Sequence, residues 1–108
     1  MSKKTFLPPG KTELVLSHSH SLDAGVAWGY LALQASHLGY AAHGMTGFDI
    51  PRAAKELRAP DDYRVEMAFA LGRVGDKSIL PEALRARGEP NGRNPQSDFV
   101  FEGEFPAG

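Results

Sequence analysis

Cysteine is absent from the 108 residues, which excludes disulfides, thiolate-held metals and cysteine nucleophiles. An excess of one charge sign is missing too: the formal net charge is −1, with acids and bases interspersed. Nucleic-acid and membrane-surface proteins usually carry a basic stripe, and none is present. No run of about 20 purely apolar residues occurs, as a spanning helix would need. The most apolar stretch, residues 22–42, contains Asp23, Gln34, Ser36 and His37, and a central acid is costly in lipid. The segment MSKKTFLPPG has charge but no apolar core, so it does not read as a secretory signal. A cytoplasmic protein that binds neither nucleic acid nor membrane is expected. Repeats and low-complexity tracts are also missing, and the length suits one small domain, residues 1–108.

What is present is ordinary for a globular chain: 42% apolar and 23% charged residues. Residues 3–7 have the look of a strand stub before the turn signal Pro8-Pro9-Gly10. Apolar Leu14, Val15 and Leu16 follow, then an irregular polar run, SHSHS. A helix is expected over Leu22–Leu38, with Ser21 as N-cap and Gly39 as a left-handed C-cap. Ala24, Trp28, Leu31, Ala35 and Leu38 form one apolar stripe, and Leu22, Val26, Tyr30 and Leu33 a second. Two apolar faces predict a helix buried on both sides. Gly25 and Gly29 lie one turn apart, which fits either close approach of another backbone or tolerated core glycines. Each costs about 1 kcal/mol relative to alanine, so a packing reason is expected.

Residues 40–47 read as a short buried strand. Asp49 then caps a second helix with Pro51 in its first turn and Ile50, Ala53, Ala54 and Leu57 facing inward, stopped by Ala59-Pro60. From Tyr63 to Gly72 the sequence alternates, with Val65, Met67, Phe69 and Leu71 on one face. The other face changes from charged to small residues, which predicts a strand running from an exposed end into a covered one. Residues 81–87 suit a short third helix. The tail carries Phe99, Phe101 and Phe105 at odd-numbered positions. Such a terminus packs either on its own domain or on a neighbouring protomer.

Several polar signals stay weak. His18 and His20 form an H-x-H pair without a convincing third ligand, so a loop is the better reading. Gly10-Lys11-Thr12 lacks the leading glycine of a phosphate loop, because Thr5 stands in that place. Asp61-Asp62 reads as a solvated turn. His43 fits either a pocket wall or the core. By itself Gly44-Met45-Thr46-Gly47 is a strand-to-helix turn capped by Asp49.

Six motifs in order change that reading. DAG-x-AW-x-x-LALQA-x-x-LGY from Asp23 is followed by HGMTGFD from His43, L-x-A-P-x-DY from Leu57 and ALGR-x-GD from Ala70. LPEALR-x-R from Leu80 and RNPQSDFVFEG from Arg93 complete the series. Together they resemble the carboxy-terminal half of flavin-dependent nitroreductases, across roughly Ser17 to Phe105. The resemblance implies an α+β fold: a mostly antiparallel central sheet packed by a long buried helix, with an extended C-terminal arm. It implies a homodimer with FMN at the subunit interface. It also implies NAD(P)H as hydride donor and a nitroaromatic, quinone or enone as acceptor.

For the site, the resemblance implies that Gly44, Met45, Thr46 and Gly47 pass beside the isoalloxazine ring. A glycine-rich segment lets main chain approach a planar ring that a β-carbon would hold off. Backbone N–H groups there would stabilise charge that develops on reduction, and Met45 would add a polarizable contact. Arg93 matches the family's basic residue on the FMN phosphate, a task suited to a guanidinium fork. Asn91 and Asn94 depart from the pattern, since relatives commonly carry a second basic residue there. No catalytic acid or base is required of the protein, because the cofactor does the chemistry.

The family's amino-terminal half, with an arginine–serine–arginine segment on FMN, has no counterpart in this sequence. A truncated chain, a stand-alone half or one chain of a two-chain enzyme would each account for that. All three leave apolar surface that oligomerisation would bury. The alternative to an oxidoreductase is a non-catalytic dimerisation half-domain that does not hold FMN stably alone.

Overall fold

A computed structural model describes residues 1–104; Phe105 of the aromatic tail lies outside them. The chain divides into two compact units, residues 1–75 and residue 76 onward. In the first, strands β1 (Ser2–Lys3), β2 (Thr5–Phe6) and β3 (Val15–Leu16) precede helix α1 (His20–His37). Strand β4 (Ala41–Met45), helix α2 (Ile50–Glu56) and strands β5 (Tyr63–Arg64) and β6 (Ala68–Gly72) follow. The second unit contains helix α3 (Glu82–Arg87) and single 3₁₀ turns at Lys77–Ile79 and Gln96–Asp98.

The class is α+β, but the expected central sheet is not formed. Instead, three separate two-stranded antiparallel ladders occur among the described residues: β1 with β5, β2 with β3, and β4 with β6. The longest pairs Ala41–Met45 with Ala68–Gly72, setting Gly44 opposite Phe69. β2 and β3 close the hairpin over Pro8-Pro9-Gly10, with Thr5 opposite Leu16. The alternating stretch 63–72 is two strands rather than one, interrupted at residues 65–67 where Val65 turns inward to 7% exposure. It starts exposed at Tyr63 and Arg64 and is covered from Val65 to Ala68, as expected, but Phe69 to Gly72 are exposed again. Alternation specifies faces, and without further strands those faces find no common sheet.

Helix α1 starts two residues earlier than expected. Ser19 takes the N-cap position and its hydroxyl donates to Asp23 at 3.0 Å. Ser21 lies inside the first turn, not at the cap, and His20 is helical rather than in a loop. The C-terminus ends as expected. Gly39 has φ +76°, its N–H reaches the Ser36 carbonyl, and the Tyr40 N–H reaches that of Ala35. This pair of bonds is a Schellman motif. Helix α2 is capped by Asp49, whose carboxylate accepts from the Arg52 N–H at 2.9 Å. It ends in the same motif with Arg58, at φ 50°, in the left-handed position.

One stripe of α1 packs and the other does not. Ala35 is buried and Ala24, Trp28 and Leu31 are half-buried, whereas Leu38 at the end of that stripe is 63% exposed, against expectation. The second stripe is exposed, at 68% for Leu22, 71% for Tyr30 and 57% for Leu33. The helix is therefore not buried on two sides within this chain, and the strand Ala41–Met45 is likewise mostly exposed. In α2, Ala53 and Ala54 are half-buried while Ile50 and Leu57 are exposed. Residues 99–104 form no strand, and Phe99 and Phe101 are exposed.

Candidate functional site

The inner stripe of α1 faces β4 and β6 across a groove of about 420 Å³. Small-molecule pockets commonly span roughly 300–1,000 Å³. Its apolar wall comes from Gly25, Trp28 and Leu31 of the helix, with Met67 from the β5–β6 connection and Phe69 from β6. Trp28 and Phe69 pair with ring centroids 5.1 Å apart and tilted by 35°. Thr46 enters from the end of β4, and Ser21 and Glu66 supply polar side chains.

The four predicted ring-contacting residues divide along the chain. Gly44 and Met45 belong to β4, while Thr46 and Gly47 lie in the segment leading to α2. All four are exposed. The two glycines answer to different neighbours. A β-carbon at Gly44 would stand 2.6 Å from Met67 Cε and 3.1 Å from Trp28 Cζ2. Its hydrogen side chain is thus explained by internal packing. At Gly47 the same atom would meet nothing within 4 Å, so that position opens outward. Gly25 and Gly29 also face open space, and among the described residues no other backbone approaches them within 4 Å.

Sequence reasoning missed a polar cluster at the groove's edge. Glu66 Oε1 accepts hydrogen bonds from the hydroxyls of Ser2 at 2.6 Å and Ser21 at 2.7 Å. With its proton directed to the carboxylate, the Ser2 oxygen is an acceptor for His20 Nδ1 at 2.8 Å. That direction assigns the Nδ1 hydrogen to His20. His20 Nδ1 lies 3.7 Å from Glu66 Oε1, and Arg64 Nε lies 3.4 Å from Oε2. The Ser2 and Ser21 hydrogen bonds, with smaller help from Arg64 and His20, hold the Glu66 carboxyl below its ordinary value of 4.5 against the cost of desolvation. The cluster ties β1, the first turn of α1 and the β5–β6 connection together. Residue separations of 18, 45 and 64 join it, so no local motif announced it.

Arg93, the predicted phosphate ligand, belongs to the second unit and is exposed. Its Nη1 donates to the carbonyls of Asn91 at 3.2 Å and Gly92 at 3.3 Å, and to the Asn91 side-chain oxygen. One nitrogen of the fork is engaged by its own loop. His43 is exposed on β4. Among the described residues, no cluster of three or more His, Asp or Glu side chains is arranged to hold a metal, and no helix is long and apolar enough to cross a membrane.

With that geometry in view, the chain's similarities define its class. It is similar to the crystal structure of an FMN-containing oxidoreductase, with 43% identity and a TM-score of 0.89. The match covers 96% of this chain and 52% of that one. The chain therefore has the fold of one part of an FMN-containing oxidoreductase. It is also 35% identical over 86 residues to an uncharacterized 15.4 kDa protein from the ask 5′ region of Mycolicibacterium smegmatis. That match covers 79% of this chain and 58% of the relative. The chain thus spans a little over half the length of the proteins it matches. No family model matches it.

Proposed function

We propose that this chain contributes to an FMN-dependent NAD(P)H oxidoreductase of the nitroreductase kind. The observation that carries the reading is the 43% identity, extending over 96% of the chain, to an FMN-containing oxidoreductase. The local geometry fits a flat ring. Gly47 leaves unobstructed space beside main chain, and the adjoining groove is walled by Trp28, Met67 and Phe69. Gly44, Met45, Thr46 and Gly47 would lie beside the isoalloxazine, and Arg93 would hold the phosphate with its fork. Bound FMN would supply hydride transfer from NAD(P)H to a nitroaromatic, quinone or enone. The protein's part is to position the ring, exclude water along the apolar wall and offer backbone N–H groups to it.

The same reading makes the protein a homodimer. The exposed outer stripe of α1, Leu22, Val26, Tyr30 and Leu33, supports this, because a contiguous apolar face on a small protein marks an interaction surface. A well-folded monomer in sedimentation at micromolar concentration would contradict it.

A second reading is a dimerisation half-domain without stable FMN binding. It is favoured by the 52% coverage of the flavoprotein and by Asn91 and Asn94 beside Arg93. Absorbance separates the two. A yellow preparation that releases flavin on denaturation supports the enzyme; a colourless chain that leaves added FMN fluorescence unquenched supports the module. Arg93→Ala should weaken FMN binding about tenfold or more, the scale of a charge-assisted contact. An unchanged affinity removes the phosphate role from Arg93.

A further inference from the structure

We propose that Met67 is a movable plug in the groove: its terminal methyl takes the place beside the Gly44 main chain, and a flat ring reaches Gly44 by displacing it. This inference rests on the flavin reading and concerns how much of the Gly44–Gly47 segment the ring can reach.

The two ends of that segment are covered differently. A β-carbon at Gly47 would meet nothing within 4 Å, whereas at Gly44 it would stand 2.6 Å from Met67 Cε and 3.1 Å from Trp28 Cζ2. The space that glycine frees at residue 44 is therefore already occupied, most closely by one methyl. An isoalloxazine lying along all four residues cannot share that space. Either the ring stops short of Gly44 or the methyl leaves.

Of the two occupants, Met67 is the one free to move. Trp28 is half-buried and paired with Phe69, with ring centroids 5.1 Å apart. Met67 offers the far end of an unbranched side chain with three rotatable bonds. It stands in the break between β5 and β6, outside the ladders on either side. It also lines the groove of about 420 Å³, which gives the thioether room to turn. While the methyl is seated, the ring-competent form is only a fraction of the population, and apparent affinity falls by that fraction. The expected factor is about four, the worth of one methyl-sized group leaving an apolar seat.

The full chain and its Met67→Ala variant are titrated with FMN and followed by quenching of flavin fluorescence. Removing the plug should tighten binding about fourfold. A residue that merely walls the ring gives the opposite sign, because its loss removes contact. Unchanged or weaker binding by Met67→Ala therefore overturns the plug and leaves the flavin reading standing. FMN that binds neither chain removes the flavin reading and this inference with it. Should the variant not fold, the wild type decides by NMR with methyl-labelled methionine. The Overhauser contact between the Met67 methyl and the Trp28 ring should be present in the free chain and lost when FMN binds. A contact that persists in the complex overturns the plug.

Discussion

Gly44 and Gly47 sit three residues apart in one motif and lack a side chain for opposite reasons. At Gly44 the space is already filled by the Met67 methyl and the Trp28 ring. At Gly47, as at Gly25 and Gly29 on α1, it is open. A glycine hemmed in by its own protein reports on folding. One facing open space meets no such constraint from the described residues.

Substitution tests that contrast directly. Gly44→Ala should destabilise the chain by about 1–2 kcal/mol through overpacking, measured by urea unfolding. Most of that loss should disappear when Met67 is also shortened to alanine, because the closest clash is with its terminal methyl. An equal loss in both backgrounds would assign the strain to Trp28 instead. Gly29→Ala should raise stability by about 1 kcal/mol from helix propensity alone. A loss of stability that grows with protein concentration would instead show that a partner's backbone fills the space beside Gly29. Gly47→Ala should shift stability by less than about 0.5 kcal/mol and still weaken FMN binding. An alanine there that changes neither would leave Gly47 as a plain connector.

The groove wall near Gly44 adds a pH dependence. Glu66 titrates below its ordinary value in the folded chain, so its contribution is present above about 4.5 and is lost as pH falls through the depressed value. Melting temperature should therefore drop more steeply between pH 5 and pH 3 for the wild type than for Glu66→Gln, with pH values chosen to bracket roughly the usual carboxylate range. Parallel curves would show that the two serine hydrogen bonds do not depend on the charge.

Local chemistry was largely legible. The α1 C-terminus at Gly39, the Asp49 cap, the stop after Leu57 and the helix at residues 82–87 all follow from side-chain and backbone rules acting over four or five positions. Ser21 was misread as a cap because Ser19, two residues earlier, offers the same hydroxyl; its actual partner, Glu66, is 45 residues away. The site was legible in part. The run from Gly44 to Gly47 stood out by composition, but only the packing of Trp28 distinguishes its first glycine from its last.

By itself, the sequence determined where the helices end and which faces are apolar, because those properties come from periodicity and from short-range hydrogen bonds; it misplaced the start of α1 and joined β5 to β6. It could not determine which apolar face finds a partner. The inner stripe of α1 meets β4 and β6, the outer stripe stays in solvent, and the strands pair two by two rather than in one sheet. The Glu66 cluster and the groove beside it likewise exist only because residues far apart in sequence are brought within hydrogen-bond reach. Burial and long-range pairing depend on the whole chain, and only the tertiary structure decides them.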